Sequence, residues 1–259
     1  MADPRNYQTR MANTGVQSGI VIDEGLRSYM LKVYNLMALG LAITGVAAFV
    51  FFQLATTSDQ AAAAATLPNG TLLTSLGVAL YTSALKWVVM LAPVALVFYL
   101  SFRIQSMSVA AAQTTFWIYA ALMGLSLSSI FLVYTQASIV KTLFITAASF
   151  GALSLYGYTT KRDLSGMGSF LVMGLFGLII ASLVNLFLAS SALDFAISVI
   201  GVLIFAGLTA WDTQKIKGMY FEADDDVVSG RKAIMGALTL YLDFINLFLF
   251  LLRFLGNRE

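Results

Sequence analysis

Residues 233–252 read AIMGALTLYLDFINLFLFLL, twenty residues with a single charge, Asp243, near the middle. As a helix such a stretch is about 30 Å long, the thickness of a bilayer's hydrocarbon core. Six further runs precede it: Val33–Phe52, Thr82–Phe102, Ala110–Tyr134, Thr142–Tyr158, Ser169–Ala189 and Phe195–Gln214. Lys86 sits near the start of the second, where its stem can snorkel, and Pro93 predicts a kink within it. Asp212 lies close to the end of the sixth. The pattern predicts an all-α integral membrane protein, a bundle of seven transmembrane helices over 29–256. The polar residues 1–28 read as a flexible cytoplasmic tail. They make a poor signal peptide, because Asp3 and Pro4 spoil a basic leader and the first apolar run begins only near Val33.

Composition agrees with that reading and narrows the chemistry. Of 259 residues, 59% are hydrophobic and 11% charged, and the mean hydropathy is +0.84, far from a soluble domain. The chain has no His and no Cys, which removes His-assisted nucleophiles, disulfides and zinc sites. A net charge of +2 leaves no footprint for nucleic acid, and no glycine-rich phosphate loop suggests an ATP-driven pump. Neither an enzyme nor a bound cofactor is expected. Acid–base behaviour must come from carboxylates, Lys or Tyr.

The connection at 53–81 contains the turn Pro68-Asn69-Gly70, and its apolar later half, Thr71–Tyr81, is expected to lie at the interface or extend the second helix. With seven crossings, eleven Lys and Arg fall on the side of the N-terminus and four on the other. That bias puts the N-terminus in the cytoplasm. The side of the C-terminus depends on whether the last run crosses or re-enters.

An ionised carboxylate inside a bilayer costs a few kcal/mol, so Asp212 and Asp243 are the ion-binding and pH-sensing candidates. At equal depth on consecutive helices, they would share one proton. Equal depth requires part of Thr213–Tyr220 to be helical. Both ionised, the pair is a hard-oxygen site suited to calcium. Asn246, one turn after Asp243, can add an amide oxygen or hold a carboxylate. Arg103, ending the second run on the side of Asp212, is a candidate latch for that residue, or else a headgroup anchor; Arg253 reads as an anchor at the opposite end. Glu222 and Asp224–Asp226 are expected either to gather cations or to be merely solvated. The Gly and Ser residues of the third to fifth runs suit close helix packing better than a polar lining.

Two motifs carry a resemblance. Trp211-Asp212-Thr213-Gln214-Lys215-Ile216, followed by Leu240-Tyr241-Leu242-Asp243-Phe244-Ile245-Asn246-Leu247-Phe248, resembles the paired-aspartate signature of the Bax inhibitor-1 family, in its bacterial branch. Gly25–Met30, Gly124–Ser128 and Thr160–Leu164 match as well. The resemblance implies a seven-helix bundle with the last helix central, acting as a pH-dependent calcium leak channel, with a basic partner on the second helix for which Arg103 is the candidate by position. It implies residence in a bacterial inner membrane, with lipid, calcium and protons as partners, and other membrane proteins for a regulatory role. The charged C-terminal tail of some eukaryotic members is missing here.

Three alternatives carry different expectations. An intramembrane aspartyl protease needs small residues around its Asp pair so that a substrate strand can approach, whereas Tyr241, Leu242 and Phe244 are bulky. A proton-coupled transporter could use the same pair. A non-conducting factor that binds membrane proteases or chaperones would leave the pair structural.

Overall fold

A computed structural model describes residues 5–258, with side chains from Glu24 onward. Seven helices long and apolar enough to cross a membrane make up the described chain. They are α1 (Arg5–Ala55), α3 (Leu85–Arg103), α4 (Val109–Leu127), α5 (Gln136–Thr159), α6 (Ser165–Leu188), α7 (Ser191–Gly218) and α8 (Asp226–Leu255), with a short α2 (Ser75–Tyr81) between the first two. Helices α4, α5, α7 and α8 each start on a Ser, Thr or Asp whose side chain accepts the backbone N–H three residues on, satisfying an otherwise orphaned donor. Before α6, hydrogen bonds from Ser165 hold the exposed Asp163 carboxyl below the usual carboxylate range. Ala189 closes α6 in the left-handed region, φ 47°.

Several boundaries differ from the hydropathy reading, for a common reason. Polarity reports where a residue faces, and a helix can continue past its apolar stripe. Thus α5 begins at Gln136, six residues before the expected start, with Lys141 inside it. The expected tail is helical from Arg5 onward as the first part of α1, while residues 1–4 lie outside the described residues. The third run is α-helical only to Leu127 and tightens into a 3-10 stretch, Ser128–Leu132.

The connection after α1 is built rather than loose. Strands β1 (Thr56–Thr57), β2 (Ala65–Thr66) and β3 (Leu72–Leu73) form a small antiparallel sheet in the order β1-β3-β2. Gly70, at φ 84°, makes the turn into β3. The Asn69 side chain donates to the Leu132 carbonyl at 3.2 Å and the Tyr81 hydroxyl donates to Ser128 Oγ at 2.9 Å. The cap is thereby fastened over the end of α4. Helix α2 stands apart from α3 and does not extend it.

Helix α8 is the centre of the bundle. Two thirds of its apolar span is buried (67%), against 39% for α7 and 6% for α6. It packs on α1, α4, α5 and α7. Thr44 of α1 has one hydroxyl proton for the Gly40 and Ala120 carbonyls at 3.0 and 2.9 Å, so Tyr241 Oη, 2.7 Å away, must be the donor to Thr44 Oγ1. One hydroxyl pair thus ties α1, α4 and α8. Unbroken over 30 residues, α8 is about 45 Å long and crosses completely. Its last turn lies beside the starts of α5 and α7, opposite the face where α7 ends.

Candidate functional site

The residues Trp211–Lys215 divide their work by helical geometry, each facing a different neighbour. Thr213, fully buried, donates to the Thr209 carbonyl at 2.7 Å and so accepts from Ser154 of α5 at 3.0 Å; Ser154 accepts from Tyr34 of α1 at 2.6 Å. Gln214 clamps the α5–α6 turn, accepting from Leu164 N at 2.9 Å and donating to the Arg162 carbonyl at 2.7 Å. Trp211 lies over Gly168 of α6, where a Cβ would sit 2.1 Å from the indole. Asp212 is left to face α8. Sequence reasoning missed the parts played by Tyr34, Ser154 and Gln214. Only the polarity of Thr213 and Gln214 beside Asp212 signalled them.

Asp212 and Asp243 are 7% and 4% exposed, and their carboxyls lie within hydrogen-bonding range of each other. The expected extension of the sixth run is present, since α7 continues to Gly218. Asp212 is about 9 Å along its helix from that end and Asp243 about 26 Å from the start of α8. The connection 219–225 therefore climbs along the projecting first turns of α8, and Asp224 pairs with Lys232 at 2.5 Å there. Asp243 Oδ2 meets no hydrogen-bond donor among the described residues, so the two acids can bond only when one carries a proton. Lys215, one turn beyond Asp212, is the cation whose charge reaches both carboxyls. It is exposed, with Nζ 4.9 Å from the Trp211 ring centroid.

The expected latch is not formed. Arg103 is exposed at the end of α3 and makes no ion pair among the described residues. It ends a helix whose buried residues, Pro93 and Leu100, are apolar, and no described partner turns it inward. Asn246 is brought to the same side of α8 as Asp243 but does not hold it. Its Nδ2 donates to the Leu242 carbonyl at 2.9 Å, which leaves Oδ1 free to accept. Arg253 is more than an anchor: Asp194 holds it at 3.4 Å, and Arg258 at 3.8 Å. The acidic run is also accounted for locally. Asp224 is in its ion pair, Asp225 caps α8 through Val228 N at 2.7 Å, and Asp226 lies in the first turn, where negative charge suits the helix dipole.

The pair opens onto a cavity of about 770 Å³ between α3, α6, α7 and α8. Apart from the two acids its walls hold no titratable group among the described residues; the other polar side chains are Ser182, Thr239 and Asn246, with the Trp211 indole. Asn246 and Phe250 also line a second cavity of about 300 Å³, bounded by Tyr134 and Arg253 towards the opposite face. Phe250 stacks on Phe205 with centroids 5.7 Å apart and fills the room left by Gly201, where a Cβ would lie 2.5 Å from the ring. Among the described residues no group of three acids could cage a metal. Two carboxylates and an amide oxygen fall short of the six to eight oxygens a resident Ca²⁺ takes. The donor set fits an ion that keeps part of its water.

A bundle of seven apolar spans with a buried aspartate pair at its centre defines an integral membrane protein whose buried carboxyls, among the described residues, lie on two helices. The chain belongs to the Bax inhibitor-1 family, matching the family described as "Inhibitor of apoptosis-promoting Bax1" over residues 26–259. It is 52% identical to protein RP147 of Rickettsia prowazekii (strain Madrid E), over 92% of each chain. It is 50% identical to the inner membrane protein YbhL of Escherichia coli (strain K12), over 91% of this chain and 94% of that one. A Caulobacter vibrioides protein (strain ATCC 19089 / CIP 103742 / CB 15) is 46% identical, over 92% of each.

Proposed function

We propose that this protein is a pH-sensitive, calcium-permeable leak channel of a bacterial inner membrane, gated by Asp212 and Asp243. The observation that carries the reading is the pair of facing carboxyls in a cavity with no other titratable wall residue among the described residues, which shares Asn246 and Phe250 as walls with a second cavity near the opposite face. With one proton shared, the acids bond to each other and hold α7 on α8. When that proton leaves, two negative charges face each other in a poorly solvated site, and a hydrated cation relieves the repulsion. Among the described residues Lys215 is the cation that acts on the pair, and α3 and α6 contribute no charge to the cavity. Ion entry therefore grows as pH rises through the titration of the pair.

Purified protein in liposomes tests this by Ca²⁺ flux over a pH series. Wild-type flux is expected to rise with pH, and Asp212→Asn or Asp243→Asn to flatten the profile to within about twofold across the series. An absent flux, or one indifferent to pH and to both substitutions, sinks the channel reading and favours a non-conducting factor.

The charge bias supports an N-terminus in the cytoplasm, and the complete crossing of α8 then sends the C-terminus to the other side. With no native Cys, labelling reads this directly. Ser58→Cys, exposed in the cap, should react with an impermeant maleimide on intact spheroplasts, and Lys161→Cys, exposed after α5, only after permeabilisation. The reverse pattern inverts the topology.

A further inference from the structure

The 770 Å³ cavity is open sideways. Its walls on α3 and α6 belong to helices that pack on α4 and α7 respectively and share no extensive contact with each other. Val94, Phe98, Leu183 and Leu186 line the cavity yet are 48–76% exposed. In a membrane those side chains meet lipid, so the cavity is a crevice entered from the bilayer, with apolar walls leading to the acids. Its volume lies in the range of ligand pockets.

The hydrogen-bonding character of its deep end is one-sided. Asp243 Oδ2 is buried without a donor. Asp212 is an acceptor when ionised. The Asn246 amide spends one of its two N–H groups on Leu242 and offers Oδ1, and Thr239 spends its hydroxyl proton on the Met235 carbonyl at 3.0 Å. Among the groups left over acceptors predominate, the second Nδ2–H of Asn246 and the Trp211 indole N–H being the donors. The complement of this acidic, acceptor-rich end is a cationic head with several donors, which describes an ammonium; an alcohol is neutral and brings one donor and two lone pairs.

We infer that the crevice between α3 and α6 binds a single-chain amphiphile with a primary ammonium head, its chain against the apolar walls and its N–H groups on Asp243, Asp212 and Asn246. The inference rests on the aspartate pair being the working site of the leak. It is tested by binding alone, so its failure and that of the leak are separately visible.

Trp211 lines the crevice and becomes the only indole in a Trp87→Phe/Trp117→Phe background. That protein in nanodiscs is titrated with dodecylamine, following Trp211 emission. Dodecanol and dodecyltrimethylammonium, the latter a cation with no N–H, serve as comparison probes. A saturable change is expected with dodecylamine only. Affinity should fall at least tenfold in Asp243→Asn and severalfold in Asn246→Leu, whose apolar replacement keeps the helix intact if the Asp variant misfolds. A linear response shared by all proteins means partition into lipid and overturns the site. Equal binding of the trimethyl probe means plain charge attraction and overturns the donor-recognising head.

Discussion

Phe250→Ala is expected to raise Ca²⁺ flux in liposomes at least tenfold. The phenyl ring borders both cavities, beside Asn246, and is held by its stack on Phe205 and by the space over Gly201. Removing it joins about 770 Å³ around the acids to about 300 Å³ near the opposite face. A narrow apolar constriction resists ions by holding no water, so widening it acts steeply on conduction. Phe254, one turn further along α8, packs on Phe195 at 5.6 Å and borders neither cavity. Phe254→Ala should therefore leave flux within about twofold of wild type. Equal fluxes in the two variants would remove Phe250 as the barrier. Because the acids are a separate element of the path, Asp243→Asn should still flatten the pH profile in the Phe250→Ala background.

The second large effect is on the fold, and it takes opposite signs at two glycines of one helix. At Gly157 a Cβ would lie 2.1 Å from the Ala210 carbonyl oxygen of α7, a backbone atom that cannot step aside. At Gly151, nearly two turns earlier, nothing lies within 4 Å. Alanine favours a helix over glycine by up to about 1 kcal/mol, so Gly151→Ala should stabilise by up to that amount. Gly157→Ala must instead push α5 off α7, straining the Tyr34–Ser154–Thr213 chain and the 2.8 Å bond from Lys217 to the Tyr158 carbonyl. We expect a loss of about 3 kcal/mol, the upper range of overpacking, or on the order of 10 °C in thermal unfolding of the detergent-solubilised protein. A Gly157→Ala protein as stable as wild type would show that α5 and α7 do not meet this closely.

Much of the site was legible before any coordinates. Seven apolar runs fix the number of crossings, because a backbone in hydrocarbon must satisfy its own hydrogen bonds. Asp212 and Asp243 stand out because a carboxylate in such a run is costly. The helical extension past Gln214 also followed from requiring the two at one depth. Arg103 misled because its place in the chain, at the end of a span on the side of Asp212, says nothing of rotation about the helix axis. Asn246 is on the expected face, but its amide can turn to a carboxylate or to its own backbone, and it donates to the Leu242 carbonyl at 2.9 Å. Tyr34, Ser154 and Gln214 were invisible as a set. Their partners are 50 or more residues away, and small hydroxyl or amide residues occur in helices for many reasons.

The family match covers 26–259, so the family of the protein and its membrane nature are properties of the chain read as text. What only the packed structure decides is direction: that Asp212 faces α8 while Thr213 and Gln214 face α5 and its turn, that α8 crosses completely, and that the acids open onto a cavity between α3 and α6 that Phe250 helps to line. Hydropathy is a sum along the chain and is blind to rotation about a helix axis. Direction is set by which side chains interdigitate, and that is settled between helices, not within them.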